Sequence, residues 1–510
     1  MRRLVTGKQM KEIDYHGIEV IGIPSLVLME RAALAVADAM EAQQRGLMKD
    51  RVLILCGTGN NGADGAALGR ILFLRGISVT VATVGQKDRW TREMEQQIAI
   101  DRKLGVPVIE WGRQSDVSFD VVVDALFGVG LDRDVAGVFA AAMEDLDRIK
   151  PRFTVAVDIP SGISGETGAV LGRAVKADLT VTFGFEKVGM CFYPGRSFCG
   201  RVEVADIGFP AYDGYGGPRY FAPGVEDGNR IPERQKDSHK GTYGRVLVVA
   251  GSEGMCGAAY LSALAAYRTG AGLVKILTVR SNVQPLQALL PEAIISSYTP
   301  RFTEEEPEAF EKLIENECAW ASVIVLGPGL GKARYVKKLV QCVLLSAYVP
   351  IIVDADGLNV VAEYPHLAGY FTENVIVTPH LGEMSRLTEM EIDDLKRDLP
   401  GAAARYSEEK GVTCVLKDAI TVTACRDGSI YIGDSGCSAM SKGGSGDVLT
   451  GVIAGLIALG LTEEEAAAMG VWVHGMAGQA AAIEKGSHSV LARDIAAHLL
   501  DGIHEGKCDG

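Results

Sequence analysis

In four places along this 510-residue chain, groups able to do chemistry stand beside glycines that let backbone come close to a ligand. The first is Gly57-Thr58-Gly59-Asn60-Asn61-Gly62-Ala63-Asp64-Gly65, where Gly57, Gly59 and Gly62 satisfy G-x-G-x-x-G directly after an apolar run ending at Cys56. That context aims backbone N–H groups and a helix N-terminus at a phosphate. The usual dinucleotide fingerprint also carries an acidic residue at the end of the next strand, to hold the ribose. Here that strand ends Ala82-Thr83-Val84-Gly85. Phosphate binding is therefore expected, and an ordinary nicotinamide dehydrogenase is not. The second and third places are Asp124, which opens a glycine-containing loop running to Asp134, and Asp158-Ile159-Pro160-Ser161-Gly162. In parallel α/β sheets the carboxyl ends of strands line the ligand crevice. Asp64, Asp124, Asp158 and Ser161 are thus expected to converge, as oxygen ligands for a cation or as an acid and a base. Taken singly, each Asp would serve equally well as a loop cap. The fourth place is Ser438-Ala439-Met440-Ser441-Lys442-Gly443-Gly444-Ser445-Gly446-Asp447, which leads into an apolar helix from Val448. Glycines before a helix start let several N–H groups face one anion. A carboxylate in the first turn is then placed to take a proton from a hydroxyl attacking phosphorus.

The elements that must position these groups are legible as continuous apolar runs, the signature of strands buried on both faces. In the first half they are Val52 to Cys56, Val79 to Val84, Val121 to Val123, Thr154 to Val157 and Leu179 to Phe183. Helical stretches lie between them, with Leu26 to Ala42 starting at an N-cap Ser25 and another from Ala66 to Leu74. From Gly208 to Lys240 prolines, glycines and charge break the pattern, which marks a domain boundary. Strand-like runs resume at Arg245 to Ala250, Val274 to Val279, Val323 to Leu326, Ile351 to Val353, Asn374 to Thr378, Thr413 to Leu416 and Ile420 to Thr423. Alternation of this kind predicts α/β architecture with βαβ crossovers in both halves. Length alone suggests about three domains; the pattern reduces them to two. The net charge of -14 argues against nucleic acid or an anionic membrane as partner. The Val448 to Thr462 stretch is too short to span a bilayer, and charge at Lys8, Lys11, Glu12 and Asp14 interrupts any signal peptide. Ten cysteines without a C-x-x-C pair read as reduced thiols, and a cytoplasmic location is expected. Glycine, 61 of 510, exceeds the usual share of about 7%, which suggests close backbone approaches.

Two resemblances follow from these motifs. Asn60-Asn61-Gly62-Ala63-Asp64, the Asp124 to Asp134 loop and the Asp158 to Gly162 turn resemble the NAD(P)H-hydrate epimerase family over residues 1–215, with a Rossmann-like doubly wound sheet. The resemblance implies interconversion of the R and S forms of hydrated NADH and NADPH (NADHX and NADPHX), with a bound potassium ion. It assigns substrate contacts to Asn60, Asn61, Gly62, Ala63, Asp64, to Gly128, Val129, Gly130, Leu131, Asp132, Arg133, Asp134, and to Asp158. It assigns potassium to Asn61, Asp124 and Ser161. Ala63 stands where the family usually has glycine. Inversion at the hydroxyl-bearing ring carbon requires water loss and return or ring opening, and either needs an acid or base, for which Asp158 is the candidate. Lys187, in Gly184-Phe185-Glu186-Lys187, could assist it, but the favoured reading is a solvated surface lysine.

Residues 225–510 resemble the ADP-dependent NAD(P)H-hydrate dehydratase branch of the ribokinase-like α/β fold. The resemblance rests on the glycines before Asp447, His239 to Gly244, Val249 to Ser252, Gly327-Pro328-Gly329-Leu330-Gly331, Asp354 to Asn359 and Thr378-Pro379-His380-Leu381-Gly382-Glu383. Leu381 replaces the family's usual proline, and Ser435 a common asparagine. The implied hydrate contacts are Gly329, His380 and Asp447. The implied nucleotide contacts are Lys417, Asp418, Ala419, Ile420, Thr421 and Gly446, with ADP as phosphoryl donor and a magnesium ion. Asp447 is the implied base. His474 reads as a buried, hydrogen-bonded core histidine. A homo-oligomer acting on small molecules is expected. The alternative is a vitamin kinase of the same fold whose first half only binds or regulates, or serves as a protein-interaction scaffold.

Overall fold

The computed structural model describes residues 1–43, 46–112, 118–211, 214 and 216–501. Two units divide the chain, Arg3–Gly217, and Pro218–Gly510 with Met1–Arg2.

The first unit contains β1 (Arg2–Val5), β2 (Arg51–Cys56), β3 (Ser78–Thr83), β4 (Val108–Glu110), β5 (Val121–Ala125), β6 (Phe153–Val157), β7 (Leu179–Phe183), β8 (Glu186–Lys187) and β9 (Arg201–Ala205). Seven of them form a sheet in the order β4-β3-β2-β5-β6-β7-β9, parallel throughout. The apolar runs demand this burial on two sides. Along β2, Val52, Ile54 and Cys56 enter one core and Leu53 and Leu55 another, as the two-residue period of a strand requires. Helices Ser25–Gln43, Asn60–Leu74 and Arg92–Leu104 cover the first face, and Gly137–Ile149 the second. The order reverses between β2 and β5, and in doubly wound sheets the ligand crevice opens at that switch point. Two sequence expectations change here. The helix after β2 begins at Asn60, not Ala66, so Asn60 to Asp64 are its first turns and Ala63 is a buried helical residue. Ser25 belongs to its helix, and its hydroxyl donates to Glu93 Oε1 at 3.0 Å.

The loops leaving β2 and β5 lie against each other at this point. Gly57 N donates to Ala125 O at 2.9 Å, and a Cβ on Gly57 would fall 1.9 Å from Leu126 O. Gly57→Ala must push the loops apart, with an expected loss of about 1–3 kcal/mol. Thermal unfolding beside wild type checks this, and an unchanged midpoint would mean that the loops part freely.

The second unit contains β10 (Arg219–Ala222), β11 (Arg245–Val249), β12 (Leu273–Val279), β13 (Ile294–Tyr298), β14 (Val323–Leu326), β15 (Ile351–Val353), β16 (Val375–Val377), β17 (Thr413–Leu416), β18 (Thr421–Ala424) and β19 (Ser429–Gly433). Their order is β13-β12-β11-β14-β15-β16-β17-β18-β19-β10, parallel from β13 to β17 and antiparallel through β18 and β19. Helices Cys256–Thr269, Ser445–Ala458 and Glu463–Lys485 share one core with the sheet. Gly451 and Gly455, one turn apart, let the second of these reach the first. A Cβ on Gly451 would sit 2.1 Å from Ser262 O, and one on Gly455 2.6 Å from Thr269 Cβ. Carboxyl ends of β11, β14, β15, β16 and β17 carry Gly251, Gly327, Asp354, His380 and Lys417 out of the sheet at one edge. The nine described cysteines form no disulfide. Among the described residues no helix is long and apolar enough to cross a membrane.

Candidate functional site

At the switch point of the first unit a cavity of about 1030 Å³ opens. Its wall includes Asn60, Asn61, Asp64, all of Gly128 to Asp134, and Asp158. Gly62 and Ala63 are buried in the helix behind that wall, and Asp124 and Ser161 lie beneath it.

Asp158 follows β6 with φ +68°, a left-handed conformation that a non-glycine residue holds only against strain. Its Oδ1 accepts from Lys187 Nζ at 2.5 Å, Thr182 Oγ1 at 3.2 Å and Phe183 N at 3.3 Å. The expectation of a solvated Lys187 is overturned: the side chain is 0% exposed and ion-paired to Asp158. Register explains this. Val5 of β1 lies opposite Lys187 of β8, and β7 brings Thr182 and Phe183 within reach of its ammonium. With Asp158 Oδ1, Thr182 Oγ1 and Phe183 O as neighbours, the three N–H donors of Lys187 are spoken for. Among the described residues no donor approaches Asp158 Oδ2.

Two more carboxyls face this pair from the wall. Asp64 accepts no hydrogen bond from the described residues. Burial, and then the charges of Asp158 and Asp14, hold its carboxyl well above the usual carboxylate range. Asp14, on the helix Gly7–Tyr15, is also pushed up, by burial and then by Asp158. The cavity therefore presents a lysine-paired carboxylate and a carboxyl that burial and its acidic neighbours push toward the protonated form, a candidate base and a candidate acid on one wall.

Below them Asp124, 0% exposed, accepts from Ser161 Oγ at 2.6 Å, Ser161 N at 2.7 Å and Leu126 N at 3.2 Å. Burial raises its pKa to about 6 against these bonds. The side-chain Oδ1 and Nδ2 of Asn61 are buried with no partner among the described residues, and Gly128 lies against them, a Cβ there falling 3.3 Å from Oδ1. Phe127, between Asp124 and Gly128, donates its N–H to Ser161 Oγ at 2.8 Å. An orphaned amide oxygen, a buried carboxylate and a hydroxyl, brought from three segments to the loop after β5, fit a hard, oxygen-seeking cation.

In the second unit the floor is Asp354, 2% exposed and 2.7 Å from Lys417 Nζ. Gly446 covers this pair closely, since a Cβ there would lie 3.3 Å from Nζ. Gly444, at φ +93°, starts the helix Ser445–Ala458 and places Asp447 in its first turn. Burial, then Asp354, raises the Asp447 carboxyl to about 7, with Lys417 opposing and Asp356 adding. Ser445 Oγ lies 3.4 Å from His474 Nε2, and burial, then Lys417, lowers that imidazole to about 4. His474 is thus a neutral, buried histidine beneath the helix start.

His380 caps the helix Leu381–Thr388, its Nδ1 accepting from Gly382 N at 2.9 Å. Burial and Lys417 lower its pKa, so the ring is neutral with its proton on Nε2. Gly329, at φ +62°, is held by Ser252 Oγ donating to its carbonyl at 2.9 Å, and Gly331 N donates to Asp356 Oδ2 at 2.7 Å. Of the expected nucleotide residues, Lys417 reaches the floor, Asp418 and Ala419 are exposed on the turn, Ile420 is buried, and Thr421 opens β18.

Residues 246–500 match the family model described as NAD(P)H-hydrate dehydratase, and residues 25–189 match the YjeF-related protein N-terminus. The chain is 37% identical over 511 residues to a bifunctional NAD(P)H-hydrate repair enzyme of Moorella thermoacetica, covering 96% of this chain and 95% of the relative. It belongs to the bifunctional NAD(P)H-hydrate repair enzyme family. The member from Escherichia coli K12 is 32% identical over 482 residues, 94% of this chain and 89% of that one. Among solved structures, the ADP/ATP-dependent NAD(P)H-hydrate dehydratase of Bacillus subtilis, co-crystallised with ATP and Mg2+, is 30% identical. It covers 54% of this chain and 95% of its own, with a TM-score of 0.46. Within this repair enzyme, sequence reasoning named Lys187 but preferred a solvated surface position for it, and missed Asp14 and the pairing of Lys417 with Asp354. No local motif surrounds Asp14, and the signal for Lys187 was its position shortly past β7, where Glu186 and Lys187 form the short strand β8.

Proposed function

We propose that the two units perform consecutive steps of one repair, in which R and S NAD(P)H-hydrate are interconverted and the S form is dehydrated to NAD(P)H. The observation that carries this reading is Asp447, a carboxylate titrating near neutrality in the first turn of a glycine-started helix, in a chain whose other unit pairs Asp158 with a buried lysine. In the first unit, protonation of the ring hydroxyl lets the ring nitrogen's lone pair expel water, and water returning to the opposite face gives up a proton. Asp64, whose carboxyl burial and its acidic neighbours push up, is the donor, and Asp158 Oδ2 is the acceptor. Asn61, Asp124 and Ser161 would hold potassium, which supplies positive charge that keeps Asp124 ionised and the Leu126 to Gly130 loop in place.

In the second unit Asp447 takes the proton of the ring hydroxyl as its oxygen attacks the terminal phosphorus of ADP. Amides of Gly444 to Gly446 receive the charge that develops on the phosphoryl oxygens. Hydroxide leaves poorly and phosphate well. The lone pair of the ring nitrogen then expels phosphate, and loss of a ring proton yields NAD(P)H beside AMP. Magnesium, bound with the nucleotide over Asp354 and Asp356, would neutralise phosphate charge. The vitamin-kinase reading gives the first unit's acid–base cavity nothing to do.

The test combines full-length protein, both epimers of NADHX, ADP and magnesium, and follows NADH absorbance and AMP. Complete recovery is expected from wild type, and recovery that stalls near half from Asp158→Ala, with only slow spontaneous exchange beyond. Absence of NADH formation by wild type would defeat the reading.

A further inference from the structure

We propose that Arg89 binds the 2′-phosphate that distinguishes hydrated NADPH from hydrated NADH, so that the N-terminal site selects NADPHX. This deepens the epimerase reading and rests on it. In a sheet of this strand order a dinucleotide lies across the switch point, pyrophosphate at the helix N-terminus after the first strand, adenosine ribose at the loop after the second. Those strands are β2, followed by Gly59 to Asn61, and β3, followed by residues 84–91. The two loops are packed together: Val84 N donates to Cys56 O at 2.9 Å and Thr91 N to Thr58 O at 3.0 Å. A Cβ on Gly85 would come within 2.9 Å of Thr58 Cγ2.

A carboxylate at the end of β3 would grip a ribose 2′-hydroxyl and repel a 2′-phosphate. β3 ends Val81-Ala82-Thr83, Val84 and Gly85 follow, and none of them is acidic. Of residues 84–91 the cavity wall includes Arg89, while Asp88 stays outside it. A short turn, Lys87–Arg89, fixes the backbone there, and Lys87 lies over the Trp90 ring at 5.8 Å. Arg89 is exposed and makes no ion pair with the described residues, so its planar fork is available for a phosphate dianion. The same cavity wall includes the Asp158–Lys187 pair, where the hydrated ring would react.

Epimer interconversion of purified NADPHX and NADHX by the full chain, with ADP withheld, is followed by chromatography above the spontaneous rate. Wild type is expected to favour NADPHX in kcat/KM. Arg89→Ala should lower that selectivity ratio about tenfold, mainly through KM, as loss of one charged phosphate contact would. Arg89→Glu should lower it further, and Arg89→Lys should retain part of it. A ratio that Arg89→Ala leaves in place, or that only substitution of Lys11 or Arg133 shifts, overturns the proposal while leaving the epimerase intact. Failure of wild type to interconvert either hydrate overturns the epimerase reading beneath it.

Discussion

Asp447→Asn removes dehydration while leaving the chain folded: kcat falls by about 10²–10⁴, the range a positioned general base supplies. The pH dependence carries the sharper test. Asp447 must be ionised to accept the hydroxyl proton, and burial together with Asp354 holds its carboxyl near 7. Wild-type kcat/KM should therefore rise through pH 7 with unit slope and level off above it, and that limb should vanish in the variant. Stability runs the opposite way. A carboxyl raised on folding favours the folded state while protonated, and that contribution is lost as pH climbs from the unfolded value near 4 through about 7. Asparagine has no charge to bury, so above pH 7 the variant should unfold at no lower temperature than wild type. A variant that is inactive and also markedly less stable would mean that Asp447 is structural. A variant that retains the wild-type pH limb would assign the base elsewhere, with His380 next on the wall.

What the sequence made legible follows from burial. Strands covered on both faces, such as β2, β5 and β14, read as unbroken apolar runs, and the carboxylates after β5, β6 and β15 came into view because they close such runs. Edge and short strands escaped notice. β9 and β13 are half-exposed, so Arg201-Val202-Glu203-Val204-Ala205 and Ile294-Ile295-Ser296-Ser297-Tyr298 mix polar with apolar positions. β4 and β8 span three and two residues and hold no period at all. Asp447 was readable because its machinery is contiguous: glycines, carboxylate and apolar helix lie within one segment. The first unit's acid–base group is assembled from Asp14, Asp64, Asp158 and Lys187, on four separate elements. Lysine is almost never fully buried unless paired, and the partner of Lys187 lies 29 positions earlier. Only the parallel passage of β6 and β7 joins them.

That assembly sets the second large effect. Lys187→Met should return epimer exchange to the spontaneous rate and destabilise the first unit by about 3–5 kcal/mol, because it leaves a buried carboxylate without its cation. The loss of rate has a distinct cause. Without the ammonium on Oδ1, nothing holds the Asp158 carboxylate with Oδ2 turned to the hydrate, and the cavity loses its positioned base. The double variant Asp158→Asn, Lys187→Met separates the two effects. Removing both charges relieves the unpaired carboxylate, so stability should recover beyond the sum of the single changes, giving a coupling energy between contacting residues. Exchange should stay at background, since no group remains to accept the proton. Denaturant unfolding and epimer chromatography on the same four proteins decide it. Exchange that returns with stability in the double variant would make the pair a structural clamp and move the base to Asp14 or Asp64.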